Sequence, residues 1–261
     1  MYSYHTRAIS WLMYALKIIL GDESIRRYII LYYNPELRNR GKHVIRTFDA
    51  FLRNKTTDEK KSSIIQYCGN MCKRKGVVVF TATNIQQDLL DNETHFQSYI
   101  INNKDKKLTI IDPAYNRNKR GIYEPEISNE VIMPFFESEG YDCKFIELIN
   151  PAQKSKKDVY CQSWTLYILL QKLRQNEYLT DNSLDIPEDQ LNKYDMLVQF
   201  YKQIFNDMPE LKENLLAEYE GVIVDSNGPK SLSKNEKEKL LQYDPIDLLM
   251  NITKYDIDKI R

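Results

Sequence analysis

The chain has 261 residues, of which 42% are hydrophobic and 28% are charged, so it can bury a sizeable core. Its 37 Lys and Arg residues balance 37 Asp and Glu residues, which argues against a general affinity for nucleic acid or an acidic membrane surface. The same composition excludes a chain that is disordered throughout, because such chains combine low hydrophobicity with high net charge.

The N-terminal region, residues 1–75, is predicted to be a helical region that packs on the core. Residues 4–20 carry an apolar patch that is too short and too mixed to span a bilayer, and no small-residue cleavage signature follows it. We expect an amphipathic helix there. The run IRRYIILYYN fits either a strand or a short helix, because periodicity does not separate the two.

A further helix is predicted over residues 56–76. Thr56 or Thr57 would be its N-cap, and Gly76 would end it, since hydroxyl residues are favoured before a helix and glycine after one. The β-branched run GVVVFTAT follows and indicates a buried strand.

The clearest hairpin is the segment HFQSYIINNKDKKLTIIDP, in which two apolar strands flank a polar turn and Pro113 ends the second strand. Residues 128–138 predict a helix, and YDCKFIELI predicts a strand. The polar loop NPAQKSKKD then leads into VYCQSWTLYILL, an almost wholly apolar run that indicates a buried helix with Cys161 in its first turn.

The C-terminal region, residues 177–261, consists mainly of charged amphipathic helical segments, such as QLNKYDMLVQFYKQIF, and is predicted to be a helical lobe. The segment 76–176 is predicted to be an α/β core. The fold class is therefore α+β, with a mixed central sheet flanked by helices and a helical C-terminal extension. The chain lacks the glycine-rich loops that commonly hold nucleotide phosphates.

The four cysteines are irregularly spaced, which favours free thiols in a reducing, intracellular compartment over a secreted disulfide framework. The stretch CGNMC supplies half of a zinc site at best, and no second pair of ligands follows it. We therefore expect neither a metal nor an organic cofactor.

Cysteine catalysis requires a thiol, a base beside it and a group that orients the base. His95 opens the first strand of the hairpin and Asp112 closes the second, so antiparallel pairing brings the two residues together. An aspartate in this position can hold the imidazole in the required tautomer. Cys161 follows at a helix N-terminus, where the helix dipole favours a thiolate.

The segments ETHFQSYIINNKDKKLTIIDPAY and NPAQKSKKDVYCQSWTLYILL resemble the adenovirus protease and ubiquitin-like-protein protease superfamily, over roughly residues 77–175. The Cys-Gln-Ser-Trp stretch looks like that of divergent members from large DNA viruses. The resemblance implies a ubiquitin-like-protease-type core in which Cys161, His95 and Asp112 form the catalytic triad. It also implies a protein substrate, either a viral precursor with a glycine-containing cleavage site or a ubiquitin-like conjugate.

The same family places a glutamine for the oxyanion in the loop before the cysteine. Gln153 lies in that loop, eight residues before Cys161, and Asp158 and Gln162 are rivals for the polar position. Two residues depart from the family pattern, because Phe96 replaces the usual Trp and Gln162 replaces the usual Gly.

Each candidate residue also has a purely structural interpretation. His95 suits a histidine with a hydrogen-bond partner on a strand, Asp112 suits a residue that ends a strand, and Cys161 suits a small core residue.

The same core without activity would serve as a virion or host-factor interaction module, with its C-terminal helices binding a partner protein. Bacterial effector acetyltransferases share the order of the triad and offer a third function. The location implied by the resemblance is host cytoplasm or virion.

Overall fold

The computed structural model describes residues 25–33, 44–47, 60–87, 92–115, 128–148, 150–153, 160–174, 184 and 186–211. Within these residues, seven strands form one mixed sheet in the order β3-β2-β1-β4-β5-β6-β7. The strands are β1 Ile25–Tyr33, β2 Val44–Thr47, β3 Lys60–Ser63, β4 Val77–Gln87, β5 Asn92–Asn102, β6 Lys107–Ile111 and β7 Asp142–Phe145. β1 is parallel to β4 and β6 is parallel to β7, whereas the other neighbouring strands are antiparallel.

The helices of the described residues pack on the two faces of this sheet. They are α1 Ile64–Cys72, α2 Met133–Ser138, α3 Cys161–Arg174 and α4 Gln190–Asp207, and a π-helical turn, Ser128–Ile132, leads into α2. The fold is α+β with a mixed sheet flanked by helices, as the sequence predicted.

Alternate residues of the central strands point into two separate hydrophobic clusters. Val79 and Ile100 belong to the cluster formed with α3 and α4. Val78 and Ile101, their neighbours along the strands, belong to the cluster formed with α1 and α2. Successive side chains of a strand face opposite sides of the sheet. An apolar run such as VVVF can therefore bury its side chains on both faces.

The β5–β6 hairpin has a regular register that runs from Asn102 opposite Lys107 to Ser98 opposite Ile111. Its turn is stabilised by Asn102, whose Oδ1 accepts hydrogen bonds from the backbone N–H groups of Lys104 and Asp105 at 3.1 and 3.0 Å. A side chain that bonds the backbone two residues ahead is the usual stabiliser of such a turn. The hairpin predicted from the sequence is confirmed, but its first strand begins at Asn92, so His95 lies within β5 and does not open it.

Most side chains of helix α3 are buried. The sheet covers one side of the helix and α4 covers another. Four of its side chains are therefore 0% exposed, those of Trp164, Leu166, Ile168 and Leu169. Thr165 Oγ1 donates to the backbone carbonyl of Phe96 on β5 at 3.0 Å. This contact fixes the N-terminal half of α3 against the strand that carries His95.

The N-terminal region differs from the sequence prediction. Residues 25–33, for which strand and helix were both open, form β1, and this strand lies inside the sheet between β2 and β4. The helix predicted to start at Thr56 or Thr57 begins instead at Ile64, because residues 60–63 pair with β2. Long-range strand pairing overrides local helix propensity here. The described parts of residues 25–63 are therefore strands, where a helical region was expected.

Other predicted elements are present with shifted ends. The predicted helix 128–138 is confirmed, with the π-helical turn as its start, and the strand predicted from YDCKFIELI spans Asp142–Phe145. Helix α4 confirms the first helical segment of the C-terminal region and shares a hydrophobic cluster with α3. The predicted helix over residues 4–20 and the segments after residue 211 lie outside the described residues. The division into three regions stays a prediction.

In the part of the chain that the structure describes, no helix combines the length and the apolar character needed to cross a membrane.

We predict that Leu169→Ala lowers the free energy of unfolding by about 2–5 kcal/mol, since it leaves a cavity between α3 and the sheet. Ile65→Ala is the control, because Ile65 is 53% exposed and its truncation should cost well under about 1 kcal/mol. Urea denaturation of both variants measures the difference. Equal losses of stability would contradict the packing of α3 described above.

Candidate active site

The centre of the site is a buried contact between His95 and Asp112. Nε2 of His95 lies 2.7 Å from Oδ1 of Asp112, and both side chains are almost completely buried. His95 is on β5 and Asp112 follows the last residue of β6 directly, so the antiparallel hairpin brings them together. The structure thus places these two predicted site residues side by side.

Two further N–H donors hold the Asp112 carboxylate. Gln97 Nε2 donates to Oδ2 at 2.7 Å, and the backbone N–H of Ala114 donates to Oδ1 at 2.8 Å. Burial alone would raise the pKa of Asp112, but the charge and the hydrogen bond of His95, together with these two donors, hold it below its ordinary value. The carboxylate is therefore charged and fixed in orientation.

Gln97 is itself fixed by a buried polar network. Its Oε1 accepts hydrogen bonds from the hydroxyl groups of Tyr99 and Ser128, each at 2.9 Å. The two hydroxyl oxygens are also 2.8 Å apart. Tyr99, Gln97 and Ser128 are all 0% exposed, so these contacts satisfy groups that water does not reach.

Cys161 lies near the imidazole of His95. Burial alone would lower the pKa of His95, but the charge and hydrogen bond of Asp112, together with the nearby Cys161, raise it from 6.5 to about 10. Because Nε2 faces Asp112, Nδ1 is the nitrogen that remains for the thiol. The structure therefore places His95 between Asp112 and Cys161, three residues that the sequence singled out.

The position of Cys161 follows from the start of helix α3. Trp164 N–H donates to the carbonyl of Tyr160 at 2.9 Å, which is the first hydrogen bond of the helix. Three backbone N–H groups precede this bond and have no acceptor within the helix, namely those of Cys161, Gln162 and Ser163. Such N–H groups, at the positive end of the helix dipole, favour negative charge at or beside the thiol.

Both glutamines predicted for the oxyanion are buried. Gln153 is 1% exposed and Gln162 is 8% exposed. The backbone N–H of Gln153 donates to the carbonyl of Pro113 at 2.8 Å, so its loop is attached to the residue that follows Asp112. Gln162 lies in the first turn of α3. Asp158, the third rival, lies outside the described residues.

The other three cysteines lie in a different environment, in or beside the cluster formed with α1 and α2. Burial raises the pKa of Cys68 and of Cys143 to about 12, with smaller contributions from nearby negative charges, and it also raises that of Cys72. These thiols are therefore protonated at neutral pH. In the described part of the chain, no group of three or more His, Cys, Asp or Glu side chains is arranged to hold a metal ion.

Sequence reasoning missed Gln97, because locating it requires the register of the hairpin. Extending the hairpin register by one residue beyond Ser98 and Ile111 sets Gln97 directly opposite Asp112. Opposed residues of antiparallel strands have closely spaced side chains, so a polar residue at that position is expected to contact the carboxylate. The register was needed to make this inference, and the sequence alone located only the two ends of the hairpin.

No protein-family model and no curated protein matches this chain. Among solved structures, ChlaDub1 from Chlamydia trachomatis is 13% identical, with a TM-score of 0.37 and coverage of 76% of this chain and 75% of that one. The Legionella pneumophila effector protein RavZ is 12% identical in one crystal structure, with a TM-score of 0.38 and coverage of 95% and 80%. Another RavZ structure, at 13% identity and a TM-score of 0.33 with coverage of 95% and 78%, contains human LC3B. Similarity at this level supports no inference about activity.

We predict that the imidazole of His95 stays protonated at pH 8, where an ordinary histidine, with a pKa of about 6.5, is mostly neutral. The raised pKa of His95 means that the charged form persists as pH rises toward 10. Asp112→Asn removes the carboxylate charge and should lower the pKa of His95. NMR titration of the His95 ring measures both effects.

The matched control is Asp105→Asn, which makes the same change at an exposed position of the same hairpin and should leave the titration of His95 unchanged. A pKa of His95 near 6.5 in the unmodified protein, or one that Asp112→Asn does not lower, would contradict the ion pair.

We predict that Gln97→Leu lowers the free energy of unfolding by about 1–3 kcal/mol, because it removes the shared acceptor of two buried hydroxyl groups and a donor to a buried carboxylate. Gln66→Leu, on an exposed position of α1, is the control and should change stability by less than about 0.5 kcal/mol. Chemical denaturation of the two variants measures the difference, and equal stabilities would show that the network contributes nothing.

Proposed function

We propose that this protein is a cysteine endopeptidase or isopeptidase. The observation that carries the proposal is the buried contact of His95 with Asp112 at 2.7 Å, with Cys161 near the same imidazole. A thiol, a base beside it and a carboxylate behind the base are the three parts that acyl transfer through cysteine requires. The sequence resemblance to the adenovirus and ubiquitin-like-protein protease superfamily points to the same chemistry.

In the proposed reaction, Cys161 and His95 form a thiolate–imidazolium pair. The thiolate attacks the carbonyl carbon of the scissile bond, so a C–S bond forms and the carbonyl oxygen takes the negative charge. When this intermediate collapses, the C–N bond breaks and His95 transfers its proton to the leaving amine. Water then attacks the thioester with His95 as its base, which releases the carboxylic acid and restores the thiol.

The negative charge on the carbonyl oxygen would be stabilised by donors that are already in place. We assign this role to the backbone N–H groups of the first turn of α3 and to Gln153, with Gln162 as the alternative side chain. Donors fixed in advance contribute strongly, since removing one typically costs about 10²–10³ in rate. The burial of Gln153 in a loop attached at Pro113 favours it over a residue of the helix.

We further propose a protein substrate, either a viral precursor or a conjugate of a ubiquitin-like protein. This part rests on the sequence resemblance. Four free cysteines suit a reducing compartment, so the proposed location is host cytoplasm, or the virion if the protein is viral. Binding of a partner protein by the C-terminal helices remains part of this proposal.

The first test is the alkylation rate of each cysteine at pH 6, read by mass spectrometry in the unmodified protein and in His95→Ala. We expect Cys161 to react at least about tenfold faster than Cys68 and Cys143, whose raised pKa keeps them protonated. His95→Ala should remove this difference. If Cys161 reacts no faster than Cys68 and Cys143 in both proteins, the peptidase proposal is wrong. The protein would then be an interaction module without catalytic activity.

The second test separates peptidase from acyltransferase. Ubiquitin-like proteins that carry a C-terminal electrophile should form a covalent adduct with Cys161, and Cys161→Ala should form none. Acetyl-coenzyme A should give no burst of acetylation. Acetylation of Cys161 without capture of any ubiquitin-like probe would favour the acetyltransferase function instead.

A further inference from the structure

A buried lysine on helix α4 contacts the loop that carries Gln153. Lys193 is 1% exposed, and its Nζ donates to the backbone carbonyls of Pro151 and Ala152 at 3.0 and 2.8 Å. Lysine is almost never buried to this degree unless its ammonium group is engaged. Two consecutive carbonyls that converge on one ammonium fix the orientation of the backbone at this point.

The peptide unit between Ala152 and Gln153 is held at both ends. Its carbonyl accepts from Lys193 at 2.8 Å, and its N–H donates to the carbonyl of Pro113 at 2.8 Å. Because the peptide unit is planar, these two contacts leave it little freedom to rotate. The direction in which the buried Gln153 side chain leaves the backbone is set by the same plane.

A chain of contacts therefore links α4 to the His–Asp pair. It runs from Lys193 through the Ala152–Gln153 peptide unit to Pro113, which is followed by Ala114. The N–H of Ala114 donates to the Asp112 carboxylate at 2.8 Å. A second contact supports the loop from the same side, since Asn150 Nδ2 donates to the carbonyl of Ile186 at 3.2 Å, just before α4.

We propose that Lys193 is a positioning residue, which acts through the peptide unit before Gln153 to hold that side chain at the oxyanion. The inference rests on the proposed peptidase function, and it makes α4 a necessary part of the site. Lys193 does not touch the substrate in this scheme. Its ammonium group acts on catalysis only through the orientation of the loop.

The test compares Lys193→Met with Lys202→Met, the same substitution at an exposed position of the same helix. In Lys193→Met, hydrogen exchange of the Gln153 amide should be at least about tenfold faster, because the Ala152–Gln153 peptide unit loses its contact with the ammonium group. Lys202→Met should leave it unchanged. Lys193→Gln, which keeps two N–H donors without the charge, replaces Lys193→Met if that variant does not fold.

Catalysis supplies the readout that a general loss of stability would not produce. On a substrate found with the ubiquitin-like probes, kcat should fall about tenfold or more in Lys193→Met, with KM little changed. Adding Lys193→Met to Gln153→Ala should cause no further loss, since both changes remove the same donor. Alkylation of Cys161 at pH 6 should stay within about twofold, because the thiol and His95 are untouched.

The outcomes separate the two proposals. Unchanged exchange of the Gln153 amide would overturn the positioning role whatever the activity. If the losses of kcat from the two substitutions multiply in the double variant, the positioning role is also overturned, because Lys193 would then act independently of Gln153. Faster exchange in a protein that cleaves nothing and whose Cys161 is unreactive would overturn the peptidase function while leaving the anchoring of the loop intact.

Discussion

The burial of a single carboxylate constrains the rest of this site. Removing the charge of Asp112 from water is costly unless partners replace the water, and three N–H donors from His95, Gln97 and Ala114 do so. The two donors besides His95 orient the carboxylate, and the carboxylate orients the imidazole. The direction of the His95 ring toward Cys161 therefore follows from how Asp112 is satisfied.

This arrangement depends on contacts from both faces of the sheet. Gln97 is held by Tyr99 and Ser128, and Tyr99 belongs to the cluster formed with α1 and α2. Cys161 belongs to the opposite cluster, formed with α3 and α4. His95, through Asp112 and Gln97, and Cys161 are thus supported by different clusters, and their alignment requires a rigid sheet between those clusters. Regular antiparallel pairing of β5 with β4 and β6 provides that rigidity.

Helix α4 is closely integrated with the helix that carries the thiol. The hydroxyl groups of Ser163 on α3 and Tyr201 on α4 are 2.7 Å apart, and both residues are buried. Lys193 on α4 contacts the loop before α3. A buried hydroxyl pair and a buried ammonium group lose hydrogen bonds if the helices separate, so these contacts favour one docked arrangement. A segment that reads in the sequence as a charged appendage therefore contributes to the geometry of the candidate site.

The sequence by itself determined the elements whose signals are local. These are the β5–β6 hairpin that carries His95 and leads into Asp112, the buried helix with Cys161 at its start, and the helical character of residues 190–207. Only the tertiary structure decided that residues 25–33 and 60–63 are strands, because their partners are distant in the chain. It alone showed that Gln97 faces Asp112 and that Lys193 reaches the loop of Gln153, since strand register and helix docking depend on contacts between residues far apart in sequence.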